Sequence, residues 1–343
     1  MAIGRLVNKV GDMVTGTMRE AGNIMGGTIE ITRKVTVDGL RSAGDISGAL
    51  SETAAGAVGG ALKAGARVGT DVAATAKGAV IGVIKGAGEI GMVSAGVLSE
   101  VIRAAIKGTR EVGADTNAAV RGAVEGGIMT TASIGVKLEE SAFNLARGAI
   151  RGGFETGTDM AVVTRATMQG AIEGAEQIAG NVTGAIHNTA RGLIRETANV
   201  GGDLAVVARN AVEGAIEGAK SAGLNAKDAA TAAASGVIEG AGEVGGTAVK
   251  TVTKAIKKTV RVKPKQESHN GNKAVKWIPI AAASGLAAGA VVGLLYAPKE
   301  GKETRQLLRE RTMHLRDQAR DAAKRAGSRI RQRAEKEVSE VST

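Results

Sequence analysis

Cysteine is absent from the 343 residues, which include only three prolines, three histidines, one Trp, one Tyr and two Phe. Without thiols there is neither a disulfide framework nor a cysteine metal site, and a reducing compartment fits this usage. A length of 343 would ordinarily mean two or three domains, but so few rings cannot fill thick globular cores. His187, His269 and His314 stand far apart with no acidic partner at ligand spacing, so they read as polar-face or linker residues. No Ser, His and acid arrangement is visible. The expectation is therefore no enzyme, with no catalytic, cofactor-binding or metal residues.

Charge of one sign is also missing from most of the chain. The net charge is +11, yet residues 16–257 hold 24 basic and 24 acidic side chains and are neutral. The excess lies at the ends: +1 in 1–15, +5 in 258–276 and +5 in 299–343. Charges interrupt every apolar run of the lead-in 1–15, which does not read as a secretory signal.

What the chain does have is a repeat. Eleven copies of 22 residues run without insertion from 16 to 257, with starts at Gly16, Asp38, Gly60, Gly82, Ala104, Gly126, Gly148, Gly170, Gly192, Gly214 and Gly236. The third place of a copy is always a large aliphatic, as in Leu62, Ile84, Ile106, Ile128 and Ile150. Apolar places 2, 3, 6, 9, 13, 16, 17, 20 and 21 give about 3.67 residues per turn, an all-α signature. Charged places such as Lys63, Lys85, Glu89, Glu111, Arg121 and Arg165 fall on the opposite face. A β-helix with turns of this length would need alternation of period two, which is missing.

Glycine is the puzzle: 43 of the 51 lie inside the repeat. At about 1 kcal/mol each relative to Ala, they leave one long helix poorly formed in water. Two solutions are open. Glycine can let neighbouring helices approach closely, or it can keep an extended helix marginal until its apolar face meets lipid. A second period of 44 bears on the choice. Gly69, Gly113, Gly157 and Gly201 each precede by two residues Asp71, Asp115, Asp159 and Asp203, and Lys77, Arg121, Arg165 and Arg209 follow six residues after each Asp. Glycine and then Asp is the order of a helix end and a new N-cap, so the array is either extended or folded back as hairpins.

Other motifs dissolve into the repeat. Gly86, Gly88 and Gly91, and again Gly240, Gly242 and Gly245, match the dinucleotide fingerprint, but no strand precedes them. Asn181 with Thr183 matches a glycosylation acceptor without any sign of secretion. In pattern, though not in alignable motif, residues 16–257 resemble the 11-residue amphipathic repeats of lipid-surface proteins such as perilipins and synucleins. Desiccation-associated proteins share the period but are more hydrophilic.

Residues 258–276 read as a basic flexible linker containing Pro264 and Gly271. No charge follows Lys276 until Lys299. From Trp277 to Tyr296 a helix would measure about 28 Å, near the hydrocarbon thickness of a bilayer. This makes 277–297 a transmembrane candidate, with Trp277, Tyr296, Lys276 and Lys299 as interface anchors. Gly285, Gly289 and Gly293 form a small-residue ridge for membrane-helix packing. Both flanks are basic, so charge does not choose an orientation.

The stretch GLAAGAVVGLLYAPKEGKETRQLL (285–308) resembles the YtxH-like family of small bacterial envelope or stress-associated proteins. The glycine ridge is followed by Ala297, Pro298, Lys299, Gly301, Lys302, Glu303, Thr304 and Arg305, an APKxGxETR-type segment. The resemblance implies membrane association and no catalytic residues. In the family this module usually lies near the start of a short protein, whereas here it follows a long array. Residues 298–343 read as a basic amphipathic helix with a narrow stripe at Leu308, Leu315, Ala319, Ala322, Ala326 and Ile330. Arg329, Arg331 and Arg333 cluster, but interleaved acids and the lack of aromatics argue against nucleic acid.

The expectation is a non-enzymatic, membrane-associated structural or stress-protective protein whose repeat coats a lipid bilayer or a lipid or polymer granule. The array and tail are expected on the cytoplasmic side. The alternative is a self-associating helical scaffold tethered to the membrane, a homo-oligomer through the glycine ridge or the repeat helices.

Overall fold

The computed structural model describes residue 12 and residues 24–41 and 46–260. The chain divides into two units, Met1–Trp277 and Ile278–Thr343, and every described residue lies in the first. Among the described residues there are eleven helices and no strand. They are α1 (Ile24–Arg41), α2 (Ile46–Val68), α3 (Val72–Glu89), α4 (Ala95–Glu111), α5 (Thr116–Ser133), α6 (Leu138–Thr156), α7 (Met160–Gln177), α8 (Val182–Asn199), α9 (Leu204–Ser221), α10 (Ala226–Val244) and α11 (Gly246–Val260).

The array is folded back, and the break comes in every copy from α2 onward rather than in alternate ones. Place 10 of the repeat is left-handed at Gly69, Gly91, Gly113, Gly135, Gly157, Gly201 and Gly223, with φ between 63° and 79°. A side chain costs energy in that conformation, which is why glycine recurs there. The following residue closes the helix by donating its N–H to a carbonyl five residues back: Met92 to Ala87 at 2.8 Å, Thr158 to Gly153 at 2.9 Å, Leu224 to Ala219 at 2.7 Å. These bonds satisfy carbonyls that a helix end leaves orphaned.

Place 12 then starts the next helix. The Asp71 carboxylate accepts from the N–H groups of Ala73 and Ala74 at 2.7 and 3.0 Å, and Asp115, Asp159, Asp203, Asn181 and Asn225 cap in the same way. Lys137 occupies this place before α6 and makes no side-chain cap. Asn181, the formal glycosylation acceptor, is thus a helix cap, its side chain accepting from Gly184 N–H at 2.9 Å. Gly86, Gly88 and Gly91 end a helix instead of beginning one, so the fingerprint match lacks the helix N-terminus that holds a phosphate.

Along the array, helices pack mainly on those two before and two after them. Odd-numbered helices therefore form one layer and even-numbered helices the other, in an α-solenoid whose unit is a 44-residue hairpin. Glycine at place 1 is the contact point within a layer. A Cβ at Gly148 would lie 2.1 Å from the carbonyl oxygen of Ser99, at Gly170 2.3 Å from that of Arg121, and at Gly192 2.4 Å from that of Phe143. Gly126 against Lys77 and Gly214 against Arg165 repeat the relation, always at the same interval along the chain. A constant offset means that helices of one layer run parallel and in register.

The apolar stripe faces inward. Ile84, Ile106, Ile128, Ile150, Ile172 and Ile194, all at place 3, have no exposed surface, and alanines fill the space between the layers. Buried Thr109, Thr167 and Thr197 donate their hydroxyls to carbonyls four residues back, at 2.6 to 2.7 Å. Close approach of glycine-bearing backbones thus does what large rings do elsewhere: it takes apolar surface out of water.

Candidate functional site: the charged outer faces

With the stripe buried, the chemistry the array offers lies on the charged faces of the two layers. Place 18 carries Arg33, Lys77, Arg121 and Arg165 in alternate copies along the odd layer. Each meets a glutamate on the helix two further on. The pairs are Arg33–Glu89 and Lys77–Glu125, both 2.7 Å, Arg121–Glu173 at 2.8 Å and Arg165–Glu213 at 3.7 Å. The even layer has its own ladder: Lys63–Glu111 at 3.2 Å, Arg103–Glu155 at 2.6 Å and Arg191–Glu243 at 2.5 Å. In every one of these pairs the cation is on the earlier helix and the carboxylate on the later. Exposed pairs contribute about 0–1 kcal/mol each and their intervals shift by whole turns, so register is held by the place 1 glycines and the ladders add little stability.

One rung differs. Place 5 is glycine at Gly152, Gly174, Gly218 and Gly240, but in α8 it is Glu196, fully buried against α6. Its carboxylate accepts from Arg147 Nε at 2.9 Å, Arg151 Nη2 at 2.5 Å and Asn199 Nδ2 at 3.1 Å. Burial pushes the Glu196 carboxyl up, but these hydrogen bonds outweigh it and hold it below the usual carboxylate range. Glu173 goes the other way, raised by burial despite Arg121.

Arg147 also faces the Phe143 ring of α6, as do Arg191 and Arg195, with guanidinium-to-centroid distances of 5.9, 5.1 and 6.0 Å. Arg195 meets Glu243 at 2.6 Å, and the His187 ring meets Glu239 at 2.9 Å. This cluster ties α6, α8 and α10 together. It is a structural clamp, its cations already satisfied by carboxylates of the same layer. Among the described residues no group of three or more His, Asp or Glu converges as metal ligands.

The residues singled out for membrane packing and anchoring, Gly285, Gly289, Gly293, Trp277, Tyr296, Lys276 and Lys299, lie outside the described residues, as do Ala297, Pro298, Gly301, Lys302, Glu303, Thr304 and Arg305. Among the described residues no helix is long and apolar enough to cross a membrane. Glu196 and the Phe143 cluster were missed in the sequence. The signal available was a departure from the repeat: glutamate where Gly86, Gly108, Gly152, Gly174, Gly218 and Gly240 stand in six other copies.

Residues 280–343 match the model of the YtxH-like protein family. The match contains Gly285, Gly289, Gly293 and the whole segment from Ala297 to Arg305, so the C-terminal stretch of this chain is YtxH-like and the repeat lies outside the match. No curated protein matches the chain.

Proposed function

We propose that the chain is a non-enzymatic scaffold in which a folded helical-repeat array is tethered to a membrane by its YtxH-like C-terminal segment. The observation that carries this reading is the burial of the apolar stripe. The surface that a lipid-coating helix would present, Ile84 through Ile194 at place 3, is consumed by packing between the two layers. What remains outside is a polar face of paired charges, suited to holding a spacer of defined length rather than to entering a bilayer.

The family match and the charge-free run from 277 to 298 support the tether. A single crossing would place the array and the 298–343 tail on opposite sides. Keeping both on the cytoplasmic side requires a re-entrant hairpin, and the basic flanks at Lys276 and Lys299 are compatible with either arrangement. Along one continuous helix Gly285, Gly289 and Gly293 share a face and serve for packing between copies.

Hydrogen exchange on the full-length protein tests this. In mild detergent, and again with vesicles, the amides around Ile106, Ile150 and Ile194 should be protected to the same extent. Protection that appears only when vesicles are added would overturn the scaffold and restore the lipid coat.

A further inference from the structure

The odd-layer ladder ends in a way that none of its earlier rungs does. Arg209 on α9 is the next cation in the series Lys77, Arg121, Arg165. Its partner helix is α11, and at the place where Lys77 finds Glu125 and Arg165 finds Glu213, Arg209 has Lys257. The sequence of α11, GTAVKTVTKAIKKTV, contains no acid. Arg209 is exposed and makes no ion pair among the described residues.

On α11, Val252 and Ile256 have no exposed surface while Lys250, Lys254 and Lys257 are all exposed. Steps of four and three place these lysines on one helix face, away from the core. The carboxylates of the elements packed on α11 do not serve them, and Asp228 in the first turn of α10 makes no ion pair among the described residues. Glu213 pairs with Arg165 and Glu217 takes a hydrogen bond from Gln169, both on α7, while Glu239 and Glu243 meet His187, Arg191 and Arg195 on α8. Every other described helix carries at least one carboxylate, and α11 carries four lysines and none.

The sequence then runs through 258–276, with net charge +5, into the charge-free stretch. Whatever its conformation, the chain from Lys257 to Trp277, about 20 residues, reaches at most about 70 Å. An array tethered at 277 therefore holds the end of α11 within that distance of the bilayer surface.

We infer that Lys250, Lys254 and Lys257 of α11, with Arg209 of α9, form a docking face for anionic lipid headgroups at the membrane end of the array. The inference rests on the tether reading for proximity and on the unpaired cations for chemistry. Phosphate oxygens replace the missing glutamates of the final rung, so the array meets the surface by its end.

The test uses the full-length protein with two vesicle types, neutral phosphatidylcholine and the same lipid containing phosphatidylglycerol. Flotation with neutral vesicles reads the tether alone. Covalent labelling of individual lysines reads the docking face. In anionic vesicles labelling of Lys250, Lys254 and Lys257 should slow about fivefold or more, while Lys85 and Lys107 stay unchanged. Salt at about 1 M should abolish the difference, because it shortens the screening length to about 3 Å. The triple substitution Lys250→Gln, Lys254→Gln, Lys257→Gln should weaken anionic binding while flotation with neutral vesicles persists. Flotation without lysine protection would overturn the docking face and leave the tether standing. Protection in anionic vesicles without flotation in neutral ones would keep the docking face and sink the tether. Failure to bind either vesicle overturns both.

Discussion

A Cβ at Gly236 would stand 2.0 Å from the carbonyl oxygen of His187, on the helix two before it. No real side chain tolerates that distance to a backbone atom, so α10 approaches α8 at a separation only glycine permits. The same relation recurs at Gly148 with Ser99 and Gly170 with Arg121. Dispersion contacts between parallel helices thereby offset the weakness that glycine brings to each helix alone.

Gly236→Ala should therefore destabilise the array by about 1–2 kcal/mol, overpacking outweighing the better helix propensity of alanine. Gly242, on the same helix with no atom within 4 Å of the position an added methyl would take, is the control. There alanine should stabilise by about 0.5–1 kcal/mol. Urea midpoints of the two variants should move in opposite directions; movement in the same direction would refute the close-approach account.

Ala179 is the one described non-glycine residue in the left-handed region, at φ 50°, in the place where seven glycines stand. Ala179→Gly should raise stability by about 1 kcal/mol, and Gly157→Ala should lower it by about 1–2 kcal/mol. Thermal melts of the pair would decide this.

Lys137 begins α6 without a side-chain cap, whereas Asp159 begins α7 by accepting from Ala161 N–H at 2.8 Å. Lys137→Asn is expected to stabilise by about 0.5–1 kcal/mol, and Asp159→Ala to cost about 1 kcal/mol. Hydrogen exchange in the first turns of α6 and α7 would register each change locally.

Glu196 and Glu173 should respond to acid with opposite signs. The Glu196 carboxyl is lowered in the fold, so its contribution is complete above the unfolded value of about 4.3 and is lost as pH falls through the lowered one. The raised carboxyl of Glu173 contributes most below the unfolded value and loses its contribution as pH rises through the folded one. Glu196→Gln should cost about 1–3 kcal/mol at neutral pH, because it removes charged hydrogen bonds to Arg147 and Arg151. That deficit should shrink toward about pH 3, while any deficit of Glu173→Gln should grow. Equal pH profiles for the two variants would contradict the assignment.

The cations of the odd ladder were legible as a regular series, Lys77, Arg121, Arg165 and Arg209, but their partners were not. Lys77 and Glu125 are separated by the same interval as Arg165 and Glu213, whereas Glu173 lies a turn further from Arg121. A glutamate one turn further along a parallel helix, or two as Glu89 is from Arg33, serves equally well, and a contact that tolerates such shifts leaves no fixed period. The Phe143 cluster was hidden for another reason: it assembles from three helices, none adjacent in sequence to the next.

The sequence by itself determined that the array is helical and where its turns can fall. A left-handed glycine at place 10 and a capping side chain at place 12 act on the backbone within a few residues, so their effect is readable from spacing alone. Only the tertiary structure decided what the apolar stripe faces. An aliphatic row flanked by glycine satisfies a lipid surface or a neighbouring helix equally well by period. The choice between them was made where Gly148, Gly192 and Gly236 meet carbonyl oxygens of the helix two before, a contact that no local pattern encodes.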